Sequence, residues 1–215
     1  MSRAVLVEPE RLAGWFDRFG QRHGGVLDTM LAAGRVVVRA ADGASATVDV
    51  PFAPLLPAVR GTREGLAVDE LVEHLQRSRR VALLLVRLGG HSVGVAYDGA
   101  VVLSSTDRRL VHGRHRSGGS SSGRFARRRE GQARVALQAA ADTAARVLLP
   151  QLSTVDAVVL GGDRRALDQL RADPRLVPLF ARAEPTVLDV PEPRRTVLDA
   201  AARRVRCARV VVDES

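Results

Sequence analysis

The sequence predicts an α/β protein, more fully an α+β one: a mixed sheet with flanking helices, preceded by a small α+β N-terminal segment. Three observations carry this expectation. From Val81 onward, three β-rich runs follow one another closely, and then helical and β-rich stretches alternate. Ahead of them, an amphipathic helix and a hairpin are set off by the stretch Pro51 to Pro57, which breaks regular structure. Finally, 46% of the 215 residues are hydrophobic, enough to build a substantial core.

Taken in order, the first element is a helix opening at Pro9-Glu10, with Leu12, Trp15, Phe16 and Phe19 at helical spacing. Three of the seven aromatic residues are spent there, so this helix packs on something. Two β-rich runs, Arg35 to Ala40 and Ala44 to Val50, surround Asp42-Gly43, a strong hairpin signal. The boundary is placed at the proline stretch, dividing 1–57 from 58–215. A short helix from Val68 to Arg77 follows, with Leu71, Val72 and Leu75 facing inward. The runs Val81 to Leu88, His91 to Ala96 and Val101 to Ser105 are joined by Gly89-Gly90 and Asp98-Gly99, which favours an antiparallel meander. After a basic loop and a long helix from Arg124 to Leu149 come strand Val155 to Leu160, helix Arg164 to Leu170, strand Thr186 to Val190, helix Arg194 to Val205 and strand Cys207 to Val212. Between the first of these strands and its helix, Gly161-Gly162-Asp163 is expected to form a tight turn with Asp163 as the helix cap. The order is compatible with a ribonuclease H-like architecture, a pattern shared by many folds.

Composition restricts the setting. All 33 cationic side chains are arginine, and the chain has no Lys, Asn or Ile, as expected of a very GC-rich genome such as those of many actinobacteria. Aromatics make up 3%, so the core is built from Val, Leu and Ala. The single cysteine, Cys207, excludes an intramolecular disulfide and a multi-cysteine zinc site, and it is expected to be a small core residue. Val81 to Val86 is too short an apolar run to span a bilayer, and Met1 to Glu8 lacks a signal-peptide core. The expectation is a soluble cytoplasmic protein with no membrane partner.

Charge is the most localised feature. Residues 108–134 hold nine arginines and one acid, Glu130, so this segment supplies +8 of the total +9. Within it, Gly118-Gly119-Ser120-Ser121-Ser122-Gly123 leads directly into the arginine-rich start of the long helix. At about 100° per residue, Arg124, Arg127, Arg128 and Arg134 share one helix face, while Ala126, Ala133, Leu137, Ala140, Ala144 and Leu148 share the other. Free N–H groups at a helix N-terminus, next to arginines able to make bidentate phosphate contacts, form an anion site. The partner expected is a phosphate backbone. His112 and His115 have a spacing that binds metals on helices, but no carboxylate cluster accompanies them, so phosphate contact is preferred and neither metal nor cofactor is expected.

The run Gly118 to Ala133, with its Arg124-Phe125-Ala126-Arg127-Arg128-Arg129 core followed by Gln132-Ala133, resembles the signature of the actinobacterial peptidyl-tRNA hydrolases. These are relatives of the eukaryotic and archaeal class 1 release factor and of the Vms-type tRNA-releasing factors. The resemblance also takes in Trp15-Phe16, Arg22-His23-Gly24, Ala41-Asp42-Gly43, Gly161-Gly162-Asp163-Arg164, Asp173-Pro174-Arg175-Leu176 and Asp189-Val190-Pro191. It implies a release-factor middle domain of ribonuclease H-like topology, monomeric off the ribosome, acting on peptidyl-tRNA at the rRNA of the large subunit. On that reading Gly118, Gly119, Ser121 and Ser122 form the catalytic loop, and Arg114, Arg116, Arg124, Arg127, Arg128 and Arg129 bind RNA. The family motif is similar to Gly-Gly-x-Ser-Gln, and this sequence has Ser122 at the glutamine position. Three alternatives stay open: cleavage within the tRNA 3′ end in place of ester hydrolysis, as the resemblance to the Vms-type factors also allows, a binding protein of the same lineage without hydrolysis, and a general RNA-binding protein.

Overall fold

The computed structural model describes residues 2–56, 58, 60–87, 89–108 and 122–214, with side chains except at 108 and 122–130. In chain order the elements are β1 (Ser2–Val7), α1 (Leu12–Arg22), β2 (Val26–Ala32), β3 (Arg35–Ala40), β4 (Ser45–Asp49), β5 (Gly61–Glu64), α2 (Asp69–Gln76), β6 (Arg80–Arg87), β7 (Gly90–Tyr97) and β8 (Ala100–Arg108). Then follow α3 (Ser122–Leu148), β9 (Ala157–Gly162), α4 (Arg164–Arg171), α5 (Val177–Ala181), β10 (Ala183–Leu188), α6 (Arg195–Arg204) and β11 (Ala208–Asp213). The chain forms two units, one from residues 1–78 and 204–215, the other from 79–203.

The first unit is a six-stranded antiparallel sheet in the order β1-β11-β4-β3-β2-β5. Alternation puts Val36, Val38 and Ala40 of β3, Ala46 and Val48 of β4, and Ala208, Val210 and Val212 of β11 into one core. Helix α1 closes it with Leu12, Phe16 and Phe19, all fully buried, as the helical spacing predicts; Trp15 stacks on Phe19 with ring centroids 5.8 Å apart. The Asp42-Gly43 hairpin forms as expected between β3 and β4. Helix α2 places Leu71 and Leu75 in the same core, with Val72 half-buried.

The boundary expected at the proline stretch falls inside this unit. Leu55 is buried in its core, and its amide donates to Ala33 O at 2.7 Å. Buried His74 on α2 bridges to the same stretch: its Nε2 lies 2.9 Å from Pro51 O, and its Nδ1 accepts from the Leu56 amide at 3.2 Å. Those two partners select the neutral Nε2–H tautomer. A composition break is therefore tied down by a polar residue eighteen positions away. The last strand is a second correction to the 58–215 grouping, because β11 pairs with β1 and β4 in the first unit's sheet.

The second unit is a mixed five-stranded sheet in the order β10-β9-β6-β7-β8. Strands β6, β7 and β8 form the expected antiparallel meander, and β6, β9 and β10 are parallel. The near-continuous apolar run of β6 follows from burial on both faces. Ala82, Leu84 and Val86 join a core with α3, α4 and α5. On the opposite face α6 lies over Gly94, where an added Cβ would stand 2.9 Å from Leu198 Cδ2 and 2.5 Å from Leu103 O.

Candidate nucleic-acid interface

The site is organised by one edge of the second sheet. Parallel strands β6 and β9 both end there, with Val86 opposite Gly162. Because β7 runs back from β6, the last residue of β8, Arg108, pairs with Gly90 at the same edge. The chain leaves the sheet at this edge and returns as α3. In open α/β sheets the carboxyl edge is where ligands bind, since strand ends and helix starts meet there.

Local chemistry fixes this edge closely. Gly162 has φ +104°, and a Cβ there would stand 2.0 Å from Val86 O, so only glycine fits. The Asp163 amide donates to Val86 O at 2.8 Å, and its carboxylate accepts from the Arg165 amide at 2.9 Å, capping α4 as the sequence predicts. On β7 and β8, His91 stands opposite Asp107, and the Ser92 and Thr106 hydroxyls bond at 2.6 Å.

Helix α3 is longer than the sheet it covers. Its 27 residues span roughly 40 Å, whereas the eight residues of β7 span roughly 26 Å. Among its described side chains the buried positions run from Ala136 to Leu148, with Ala140, Ala144 and Leu148 inward and Leu137 half-buried, on the face expected to be apolar. The opening turns lie ahead of these positions. Arg124, Arg127, Arg128 and Arg129 occupy those turns, on one backbone scaffold, while Arg134 one turn beyond them is exposed. Ser122 is the helix's first residue, so its amide belongs to the four N–H groups that have no partner within a helix. Gly118, Gly119 and Ser121, with Arg114, Arg116, His112 and His115, lie outside the described residues.

Two basic residues at the same edge were not singled out by sequence reasoning. Arg164 and Arg165 open α4, where a cation opposes the helix dipole, and both are exposed with no acid partner among the described residues. The signal was present as paired arginines directly after a capping aspartate. Elsewhere in the unit, acids hold several of the arginines. Arg175 bonds Asp173 at 2.7 Å and Asp142 at 2.9 Å, and these hydrogen bonds keep both carboxyls below their usual pKa. Cys207, expected in the core, is half-buried one residue ahead of β11, where burial raises its thiol pKa. Among the described residues no group of His, Cys, Asp and Glu is arranged to hold a metal, and no helix is long and apolar enough to cross a membrane.

The architecture defines a mixed α/β protein whose basic segment leaves the carboxyl edge of its sheet. Residues 79–211 match the family described as the Actinobacteria/chloroflexi VLRF1 release factor, and the chain belongs to that family. The match opens at Arg79, the first residue of the second unit. Among solved structures, the chain is similar to the archaeal translation termination factor aRF1, with 13% identity, a TM-score of 0.47, and 95% of this chain aligned to 64% of that one. It is also similar to a structure described as an archaeal protein, with 13% identity, a TM-score of 0.42, and 79% of this chain aligned to 52% of that one. Pelota of Archaeoglobus fulgidus aligns at 12% identity and a TM-score of 0.30, over 95% of this chain and 62% of that one. The chain spans less than two thirds of each of these structures, and the family assignment rests on the match to residues 79–211. No curated protein matches the chain.

Proposed function

We propose that this protein acts in the cytoplasm on stalled ribosomes, releasing nascent chains from peptidyl-tRNA at the large subunit. The observation that carries the reading is that the family match encloses the whole of residues 108–134, which hold +8 of the chain's net charge. The opening turns of α3 present that charge beyond the sheet edge to rRNA and tRNA phosphates, with Arg114, Arg116, Arg124, Arg127, Arg128 and Arg129 as contacts. Gly118 to Ser122 is then delivered to the ester that joins peptide to tRNA ribose.

In that reaction water attacks the ester carbonyl, an oxyanion develops, and the ribose hydroxyl leaves with a proton. Preorganised donors aimed at the oxyanion supply most of the acceleration. Gly118 and Gly119 let the backbone approach closely, Ser121 belongs to the same loop, and Ser122 donates its amide to the oxyanion while its hydroxyl holds the water. Ser122 keeps this backbone donor but lacks the side-chain amide of the family's glutamine. Loss of one oriented donor costs on the order of a hundredfold in rate. The same serine favours a second reading, a ribosome-bound protein of this lineage that does not hydrolyse.

Release of labelled peptide from stalled complexes by saturating protein decides between them. Ser122→Gln raises release with binding unchanged, and Gly119→Ala lowers it, because a Cβ bars close backbone approach. No release by wild type together with no gain in Ser122→Gln leaves only the binding reading.

A further inference from the structure

Helices α3 and α4 both start at the carboxyl edge and lie side by side on one face of the second sheet, where both join its core. Between them runs a groove of about 450 Å³, lined by Ala133, Arg134, Leu137, Ala141, Gln169 and Leu170, with Gln138 and Asp173 at its rim. Its floor is aliphatic: Ala141 and Leu170 are buried, and Leu137 is half-buried. Its rim is polar, and its charges are unequal. Asp173 is held by Arg175 at 2.7 Å, and Gln138 donates to Asp142 at 3.0 Å. Arg134 has no acid partner among the side chains described, and Gln169 is exposed.

We propose that this groove seats one unstacked nucleotide of a single-stranded RNA, with its base on Leu137, Ala141 and Leu170 and its phosphate on Arg134. The assignment rests on the reading of the opening turns of α3 as an RNA contact, and it extends that contact along the helix. Charge complementarity selects the occupant. Of the two charged residues that line the groove, Asp173 is paired with Arg175, while the Arg134 guanidinium has no acid partner among the side chains described and can fork onto phosphate oxygens. An apolar floor beside exposed amides suits a base, whose faces are apolar and whose edge carries donors and acceptors. Arg164 and Arg165, on the first turn of α4, continue the cationic path from the groove back to the sheet edge. Their position against the helix dipole is offset once a phosphate lies between them.

The test uses the full chain with two fluorescent probes, a single-stranded RNA hexamer and a blunt RNA duplex of matching length, read by anisotropy. Gln169→Trp, which fills the groove from its exposed rim, is expected to weaken the hexamer about tenfold and leave the duplex unchanged. Arg134→Ala is expected to weaken the hexamer by a similar factor. Arg124→Ala combined with Arg127→Ala and Arg128→Ala weakens both probes, because it removes phosphate contacts common to them. If Gln169→Trp leaves hexamer affinity unchanged while the triple variant loses it, the groove assignment fails and the RNA reading of α3 stands. If wild type binds neither probe, both fail. If Gln169→Trp loses ribosome binding but keeps both probes, the groove holds a protein segment, and the nucleotide assignment is overturned.

Discussion

The two units use the same cation to opposite ends. Residues 1–78 and 204–215 contain 12 arginines and 12 acids, so the first unit is neutral; residues 79–203 contain 21 arginines and 12 acids, and carry the whole +9. In the first unit several arginines are tied down: Arg35 to Asp49 at 2.8 Å, Arg39 to Asp28 at 2.5 Å, Arg63 to Glu70 at 2.6 Å and Arg206 to Glu10 at 2.9 Å. The Arg39 hydrogen bond keeps the Asp28 carboxyl below its usual pKa. In the second unit Arg134, Arg164 and Arg165 have no such partner among the side chains described, and the surplus is concentrated in residues 108–134. A GC-rich genome would account for arginine in both units, but not for one surface being balanced and the other not, and that difference supports the proposed interface.

The largest effect that sharpens the comparison belongs to the neutral unit. Phe16 is fully buried, so Phe16→Ala is expected to lower unfolding free energy by about 3–5 kcal/mol in urea melts. Under native conditions the folded protein should retain wild-type RNA affinity, and a parallel loss of affinity would mean that the first unit takes part in binding. Next in size, Arg124→Ala with Arg127→Ala and Arg128→Ala should reduce the slope of log affinity against log salt by about 2 to 3 units. Arg35→Ala with Arg39→Ala and Arg63→Ala removes the same charge from the balanced surface and should leave that slope unchanged. Equal losses in the two triple variants would break the comparison, since net charge alone would then account for binding.

The smallest effect concerns an arginine of the second unit that is paired. Asp173 and Asp142 have folded-state pKa values below the ordinary carboxylate value, chiefly through hydrogen bonds from Arg175. Such a group favours folding above its unfolded pKa, and the contribution is lost as pH falls through the lowered folded value. Arg175→Ala should therefore be less stable than wild type near neutral pH, with the difference fading in acid. Carboxyl carbon shifts followed by NMR should show both aspartates titrating closer to the ordinary value in the variant.

Much of the second unit was legible along the chain because its signals are local. The β6 to β8 meander followed from short apolar runs separated by Gly89-Gly90 and Asp98-Gly99, and the α4 cap from Asp163. The inward face of α3 followed from 3.6-residue spacing. In the first unit, β1 and β5 were missed because they are edge strands with mostly exposed side chains, which blurs alternation. Strand β2 was missed for a related reason, its outward residues Leu27 and Met30 being as apolar as its inward ones. At the proposed interface, the arginine concentration could be read directly, whereas Arg164 and Arg165 became candidates only once α4 was seen to start at the same edge.

By itself the sequence determined the type of most elements, the apolar face of α3 and the place where the charge gathers. These depend on residue spacing and composition within a few turns of chain, where helix and strand periodicities act. Only the tertiary structure decided that β11 joins the first sheet, that the proline stretch is held by His74 and Leu55, and that α3 is longer than the strands it covers. Those outcomes depend on which surfaces bury one another across long separations, as when Val5 of β1 meets Val210 of β11. A strand's own pattern shows which face seeks burial but not which partner supplies it.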